Sequence, residues 1–513
     1  MVNYNMKVKQ RGNEDSPHSR NWLRYALRYA SGRGGSSHIL QTDIPSRKII
    51  RGALAPSYHV PSVTFHPERG IVLSATIGAI VFAIGWRFTY GVSPQLRILL
   101  VFSAVPLLFR VIGWVLSCFD RPHYAEVEKL RDLRVVISIP AFNEAPETVD
   151  ACLFALVNQT RPPDLVDFVD DGSTKVDYTR LKRYWAGTHG RTTITWRRKA
   201  NEGKRRAHAA TFRDELDRLD AGKKPDDQTI FITVDSDTIL SMTAIEEGIQ
   251  RFADPTVMSV AGTELGYNHK RNWLTLIECS LQEYAQVVIS GAWSVSGDMF
   301  TNRGPFALIR ASAFRKIIDV YSNEVLLGRR VELADDSLTA LAGSMCGKSV
   351  QQISAVAFTM WPEKLGHHSR QRTRWARGRT VRNFWRLKYY PISSYMWWYT
   401  LMSVYSTLLG LALLLIVIGS WPHSEHLAWR VVVSSALIGW ISQLRTLSLR
   451  RSDESWKVKF LTIALRPIAS LWSAIVLTRI IRIYGTVTFL KQGWTTRQNG
   501  VEDTMRPQGG AAQ

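Results

Sequence analysis

Several groups of residues have the types and spacing to do chemistry. Asp235 and Asp237 flank Ser236 directly after the apolar run 229–234. In extended chain, side chains two residues apart point the same way. Two carboxylates on one side suit a hard divalent cation that keeps coordination positions open for a phosphate-bearing ligand. A second acidic pair, Asp170 and Asp171, ends the strand-like run 165–170 and is followed by Gly172-Ser173. Asp335 and Asp336 are adjacent and precede Leu338-Thr339-Ala340-Leu341. Like-charge repulsion raises the affinity of such a pair for a proton, which suits proton transfer. The same two acids would also serve as the N-cap of the helix that follows. Gln371, Arg374 and Trp375 stand at i, i+3 and i+4 and so share one helical face. That face offers an amide, a planar guanidinium fork for phosphate and an indole for stacking. Lys204 and Arg205 follow Asn201-Glu202-Gly203. They read either as fixed positive charge at an anion site or as solvated cations in a first helical turn.

These groups need elements to hold them. Residues 134–141 (RVVISIPA) have a buried-strand pattern, and a helical pattern follows at 145–159. Strand-like runs recur at 165–170, 192–198 and 229–234, with a helical stretch near 203–219. Strands alternating with helices predict an α/β domain with a mostly parallel sheet. Ligands in such sheets bind beyond the carboxyl ends of the strands. Both Asp170-Asp171 and Asp235-Ser236-Asp237 fall there.

The rest of the chain is of another kind. The 513 residues carry a formal net charge of +22, with four cysteines that show no metal-ligand spacing. Such a basic excess fits nucleic acid, anionic lipid or a phosphorylated ligand. No zinc spacing or RNA-binding aromatic signature is present. Segments 71–92 and 98–118 have the ~20-residue length that crosses a bilayer, and 71–92 starts too late to be a signal peptide. Segment 395–421 carries no charge, and 428–444 is shorter. Segment 456–490 is apolar but interrupted by Arg466-Pro467, Arg479 and Arg482. The basic N-terminal tail, the basic 445–459 stretch and the tail after Lys491 belong inside, whereas 422–427 (PHSEHL) belongs outside. That balance predicts a hairpin or re-entrant segment over 456–490, broken at Pro467. Arg110, inside the second segment, either snorkels to the interface or lines a polar path. The strongly basic, aromatic-interleaved stretch 370–388 reads as an interfacial amphipathic helix. Its uncharged apolar neighbour argues for a lipid bilayer and against nucleic acid.

The motifs occur in a specific order. Ile139-Pro140-Ala141-Phe142-Asn143-Glu144 is followed by Val169-Asp170-Asp171-Gly172-Ser173, Asn201-Glu202-Gly203-Lys204-Arg205 and Val234-Asp235-Ser236-Asp237-Thr238. Gly304-Pro305-Phe306, Ala334-Asp335-Asp336, Gln371-Arg372-Thr373-Arg374-Trp375 and Gly493-Trp494-Thr495-Thr496-Arg497 complete the set. Over residues 70–500 this set resembles the family 2 glycosyltransferases, and within them the processive membrane polysaccharide synthases. Gly203-Lys204-Arg205, the stretch from Val295-Ser296-Gly297 to Gly304-Pro305, and the terminal Trp-Thr-Thr-Arg are most similar to hyaluronan synthases and their chitin-oligosaccharide relatives. Two features depart from that pattern. Ser337 stands where that family usually has Arg, and Asn302-Arg303 replaces a Cys-containing stretch.

The resemblance implies a GT-A-like α/β cytoplasmic catalytic domain inserted between α-helical transmembrane segments of a multi-pass plasma-membrane protein. The corresponding division is a basic tail (1–69), two transmembrane helices (70–118), the catalytic domain (130–350), interfacial helices (351–392), further transmembrane or re-entrant helices (393–490) and a cytoplasmic tail (491–513). It implies UDP-sugar donors, UDP-GlcNAc and UDP-GlcA, and a growing β-linked polysaccharide made by a processive inverting synthase and passed outward. Pro140, Asn143, Glu144, Asp170 and Asp171 would hold the uridine. Asp235 and Asp237 would hold the diphosphate through Mg2+ or Mn2+, assisted by Lys204, Arg205, Gln371 and Arg374. Asp336 would be the general base, with Asp335 beside it. Trp375, Gly304 and Pro305 would meet the acceptor, while Trp494, Thr496 and Arg497 would help position donor and acceptor. Trp293 and Trp361 would floor the acceptor site or pack in the core, and His367 and His368 would be plain interfacial residues. The alternatives are a chitin- or cellulose-type synthase using one donor, and a non-processive transferase acting on a lipid phosphate.

Overall fold

The computed structural model describes residues 60–88, 94–125, 130–222, 225–419, 437 and 439–492. Its strands, in chain order, begin with β1 (Val63–Phe65), β2 (Arg134–Ala141), β3 (Leu165–Asp170), β4 (Gly187–His189) and β5 (Thr192–Arg198). They continue with β6 (Thr229–Val234), β7 (Ile239–Leu240), β8 (Val257–Gly266) and β9 (Phe306–Arg310). The last are β10 (Val325–Leu326), β11 (Arg329–Arg330), β12 (Lys348–Thr359) and β13 (Leu449–Arg451). Nine of them form one sheet in the order β4-β5-β3-β2-β6-β9-β8-β12-β7.

The half built from the alternating strands and helices is parallel: β2 lies between β3 and β6, and β3 pairs with β5. The sheet as a whole is mixed rather than mostly parallel. β9 runs antiparallel to both β6 and β8, and the edge strands β4 and β7 are antiparallel to their neighbours. A strand buried on both faces is apolar throughout whichever way it runs, so the pattern could not report direction. The connection decides it. Phe306 opens β9 opposite Val234, the last residue of β6. The loop before β9 therefore sits at the same sheet end as Asp235.

The core holds this sheet from both faces. Val149, Cys152, Leu153 and Leu156 of the Pro146–Val157 helix are buried against β2 and β6 on one side. Phe212 and Leu216 of the Lys204–Ala221 helix cover the other, with Phe212 stacked 4.4 Å from Phe231. Each such side chain contributes roughly 1.5–3 kcal/mol by leaving water.

Two expected boundaries move. β12 carries the sheet to Thr359, so the catalytic domain does not stop at 350, and the basic helix begins only at Leu365. Residues 63–65, placed in the tail, pair with β13 and tie the two ends of the chain together. Helices Pro67–Phe88, Pro94–Ser117 and Tyr395–Gly419 occupy three of the expected apolar segments. Most of 428–444 lies outside the described residues. Among the described residues, one helix, Arg466–Val487, is long and apolar enough to cross a membrane. The 456–490 segment is not a hairpin turning on Pro467. A short helix, Trp456–Ala464, ends just before Arg466, and everything beyond runs continuously through Val487. Proline is tolerated here because it sits in the first turn, where no backbone N–H is required. The fold is α/β, with a mixed sheet covered by helices on both faces.

Candidate active site

The carboxyl ends of β2, β6 and β8 and the start of β9 open on a cavity of about 1820 Å³. Pro140, Asp171, Lys204, Asp235 and Asp237 line it from the sheet side. Gly304, Pro305, Asp335 and Asp336 line it from the loops around β9 and the helix Asp335–Cys346. Gln371, Arg374 and Trp375 line it together from the helix Leu365–Tyr389, as their spacing required.

Lys204 organises the acids. Its Nζ donates to Asp235 Oδ1 and lies 3.7 Å from Asp335 Oδ2. Burial works against its charge, but Asp235 and then Asp335 outweigh burial and hold its pKa above the usual lysine range. A Cβ on Gly304 would stand 3.8 Å from Lys204 Nζ and 3.9 Å from Asp235 Oδ2. Glycine here leaves the space above the carboxylate open to a ligand. Among the described residues, no three His, Cys, Asp or Glu converge as a closed metal cage. Two cavity-lining carboxylates with an open face fit a divalent cation shared with a phosphate ligand.

Asp335 and Asp336 begin their helix after Ala334, whose φ of 61° is left-handed. They are therefore both first-turn acids and site residues. Asp336 Oδ2 accepts from Thr301 Oγ1 at 2.6 Å, and Oδ1 accepts from the Ser337 N–H at 2.8 Å. Burial, then Asp335, pushes the Asp336 carboxyl above the usual range. Asp335 is held below it, because Lys204 overcomes burial. Two neighbouring acids with pKa values driven apart are the arrangement a general base needs.

Four expected donor ligands do other work. Arg205 is 2% exposed and donates to the Val331 carbonyl at 2.5 Å and to Glu324 Oε2 at 3.0 Å. Helical periodicity turns it away from the face Lys204 presents. Asn143, at φ 54°, accepts from the N–H groups of Thr174 and Lys175, each at 2.9 Å, and so ties the loop after β2 to the loop after β3. Asp170 caps the turn at Ser173 N (2.8 Å), and Glu144 is buried behind Tyr178, whose hydroxyl accepts from its N–H at 2.9 Å. Asp171, by contrast, lines the cavity while accepting from Glu202 N and Gly203 N. Trp494, Thr496 and Arg497 lie outside the described residues.

Other expectations resolve at the basic helix. His368 is not a plain interfacial residue; it is fully buried, with Nε2 3.0 Å from Glu278 Oε2. Arg372 pairs with the same carboxylate and carries the Trp375 ring 4.6 Å from its guanidinium. Burial lowers the Arg372 pKa to about 9. His367 and Arg110 both line the cavity. So does Trp293, whereas Trp361 packs against Gly266 in the interior.

Thr301 and Glu264 belong to the site but were not singled out, and Arg303, marked only as a departure from the family pattern, belongs to it too. Glu264 lines the cavity near the end of β8. Burial pushes its carboxyl up to about 7 against the pull of Arg303. An acid closing an apolar strand was the signal that found Asp235, and it would have found Glu264. Thr301 and Arg303 precede a Gly-Pro pair that was already marked.

The chain is similar to several known proteins. A family model described as "Glycosyl transferase family 2" matches residues 136–318, and "Glycosyl transferase family group 2" matches 230–442. The chain is 29% identical over 278 residues to hyaluronan synthase of Streptococcus pyogenes, covering 54% of this chain and 63% of that protein. It is 27% identical over 377 residues to an N-acetylglucosaminyltransferase of Rhizobium leguminosarum bv. viciae, covering 71% of this chain and 81% of that one. Among solved structures, S. aureus TarS 1–349 in complex with UDP-GlcNAc matches at 14% identity and a TM-score of 0.34, over 69% of this chain and 90% of that one. With two family models over the sheet and much of the cavity, the chain carries family 2 glycosyltransferase domains and is similar to hyaluronan synthase and to an N-acetylglucosaminyltransferase.

Proposed function

We propose that the chain is a membrane-bound, processive, inverting synthase. In this reading it polymerises UDP-sugars, UDP-GlcNAc and UDP-GlcA, into a β-linked polysaccharide and passes the product outward. The observation that carries the reading is the continuity of one cavity. It extends from Asp235, Asp237, Asp335 and Asp336 past Trp375 and Tyr399 to Ser403 on the Tyr395–Gly419 helix and Thr478 on the Arg466–Val487 helix. A chain elongated beside Asp336 has a route to the apolar helices without leaving the protein. The names of the relatives, hyaluronan synthase and N-acetylglucosaminyltransferase, support the amino-sugar donor.

Asp336 takes the proton of the acceptor hydroxyl as that oxygen attacks the anomeric carbon. Thr301 and the Ser337 N–H orient its carboxylate, leaving a lone pair for the substrate. A positioned base contributes ~10²–10⁴-fold. Lys204 keeps positive charge beside Asp235, where the donor's diphosphate would lie. Arg374 offers its fork to phosphate, and Trp375 a face for the acceptor sugar. Inversion is a single displacement, so no side chain need act as nucleophile. Asp235 and Asp237 would hold Mg2+ or Mn2+, which when bound would neutralise charge developing on the leaving diphosphate.

The test uses membranes containing the full chain, supplied with UDP-GlcNAc, UDP-GlcA and UDP-Glc singly and in pairs, with Mg2+ or Mn2+. The expected result is high-molecular-weight polymer that requires UDP-GlcNAc and UDP-GlcA together and is degraded by hyaluronidase. Polymer from one donor would make the product chitin- or cellulose-like. UDP release without polymer would favour transfer to a lipid phosphate.

A further inference from the structure

We propose that Arg303 reads a carboxylate on the terminal sugar of the acceptor, so that the site adds the neutral sugar to a uronic-acid-ended chain. This rests on the synthase reading above and assigns a specificity role to a residue outside the shared motifs.

Residues 301–304 run from the base to the donor acids. Thr301 Oγ1 donates to Asp336 at 2.6 Å, and Asn302 N donates to the Asp336 carbonyl at 3.2 Å. Two residues on, Gly304 lies over Lys204 and Asp235. Arg303 sits between these contacts and lines the cavity. An acceptor sugar with its hydroxyl at Asp336 and a donor at Asp235 must pass this side chain.

Arg303 is held for something its own neighbours do not supply. Its φ of 64° is left-handed, a conformation that non-glycine residues adopt only when the surroundings impose it. Its Nη2 donates to a neutral group, Ser290 Oγ, at 2.7 Å. Its Nε is buried with no hydrogen-bond partner among the described residues. Glu264 and Asp336 act on Arg303 through space, but among the described residues neither forms an ion pair with it, and the Asp336 oxygens are already engaged by Thr301 and Ser337. A buried guanidinium whose acids act only through space, with its Nε unfilled, is left under-satisfied until a ligand brings a carboxylate into contact. A carboxylate matches its planar fork in geometry and in charge.

The surroundings fit a sugar carrying that carboxylate. Trp293 and Phe300 stack at 5.3 Å, and Tyr399 meets their edges at 5.2 and 5.7 Å. All three line the cavity beside Arg303. Trp293 and Phe300 are buried, with Arg386 and Arg379 over the Phe300 ring at 3.3 and 4.9 Å, so they form an apolar wall beside Arg303 and half-buried Tyr399 is the ring left to meet a sugar. A second observation points the same way. Beyond Glu264, the described lining toward the apolar helices includes Arg110, Arg466, Arg479 and Arg482 and no Asp or Glu. A basic passage favours a chain with recurring negative charge over a neutral one.

The experiment compares the two half-reactions in membranes holding the full chain and its Arg303→Gln variant. Growing chains are synthesised from UDP-GlcNAc and UDP-GlcA, released, and their non-reducing termini identified by mass spectrometry. Losing a charge-assisted contact should slow GlcNAc addition to uronate-ended chains roughly 10- to 100-fold. Stalled chains should then end predominantly in glucuronate, with the KM for UDP-GlcA unchanged. Arg303→Lys, which keeps the charge but not the fork, should show the same terminal bias more weakly, and it decides the matter if the Gln variant fails to fold. A general structural defect would slow both additions and leave the termini unbiased. Unbiased termini, or an unchanged rate in Arg303→Gln, would overturn the proposal while leaving the synthase reading intact. A wild-type chain that makes polymer from one neutral donor would overturn both.

Discussion

Glu324→Gln should destabilise the protein and reduce turnover without weakening donor binding. Glu324 is 2% exposed, and both of its oxygens receive Arg382, with Arg205 adding a third contact at 3.0 Å. Glutamine keeps the shape and removes the charge, leaving two buried guanidiniums without their counter-ion. Breaking a buried pair in this way costs about 3–5 kcal/mol. For a unit of this size that is a fall of about 6–20 °C in melting temperature, at roughly 2–4 °C per kcal/mol. The clamp also reaches the chemistry, because Arg382 Nε donates to the Ala334 carbonyl at 3.2 Å. Ala334 is the left-handed residue that launches Asp335 and Asp336. Loosening it should lower kcat severalfold and leave the KM for the donor nearly unchanged. The pH dependence has a definite sign. Arg382 and Arg205 overcome burial and depress the Glu324 pKa, so its contribution is present above the ordinary glutamate pKa and is lost as pH falls through the depressed value. The assay is thermal unfolding of the detergent-solubilised chain together with donor-saturation kinetics. A melting temperature within about 1 °C of wild type would refute the buried-clamp argument. A raised donor KM with unchanged kcat in Arg205→Lys would return Arg205 to the donor site.

Asp336→Asn should lower polymer formation by ~10²–10⁴-fold while the protein stays folded, and yield within twofold of wild type in a radiolabelled incorporation assay would remove it as the base. Activity should fall as pH drops through the raised Asp336 pKa, and Asp335→Asn should move that acid limb to lower pH by removing the like charge; a limb that stays put would show that Asp335 does not act on its neighbour. EDTA should abolish incorporation and Mn2+ or Mg2+ restore it, with Asp237→Asn inactive at any metal concentration; full activity in EDTA would refute the metal assignment. A Cβ on Gly378 would fall 2.7 Å from the Ala334 Cβ, so Gly378→Val should separate the basic helix from the acid turn, destabilising by about 1–3 kcal/mol with loss of activity, and normal activity would show that this contact does not hold the site.

The misplaced assignments share a cause. Lys204 and Arg205 are adjacent and chemically alike, but consecutive helical residues diverge by about 100°. One therefore meets Asp235, and the other is buried on Glu324. Asn143 and Asp170 sit at the ends of neighbouring strands rich in site residues, yet their short side chains fold the backbone of the loop after β3. Polar residues that make a site and polar residues that shape its loops have the same composition.

By itself the sequence determined what depends on local periodicity and local chemistry. The strands at 134–141, 165–170, 192–198 and 229–234 match their runs residue for residue; in the inner ones burial on both faces writes an apolar stretch, whereas 192–198, nearer the sheet edge, alternates buried and exposed positions. Asp235 and Asp237 reach the cavity because a strand's end places them there, although the chain turns at Ser236–Asp237, closed by Thr238 N–H on the Asp235 carbonyl at 3.0 Å, rather than staying extended; Gln371, Arg374 and Trp375 reach it because helical spacing puts them on one face. Only the tertiary structure decided what depends on long-range return of the chain. It set the direction of β9, which brings Thr301, Arg303 and Gly304 between Asp336 and Asp235. It paired β1 with β13 across the chain and joined the acid cluster to the apolar helices in one cavity. Such contacts are chosen by packing between segments that lie far apart in sequence, and no local pattern records which distant partner a buried face will meet.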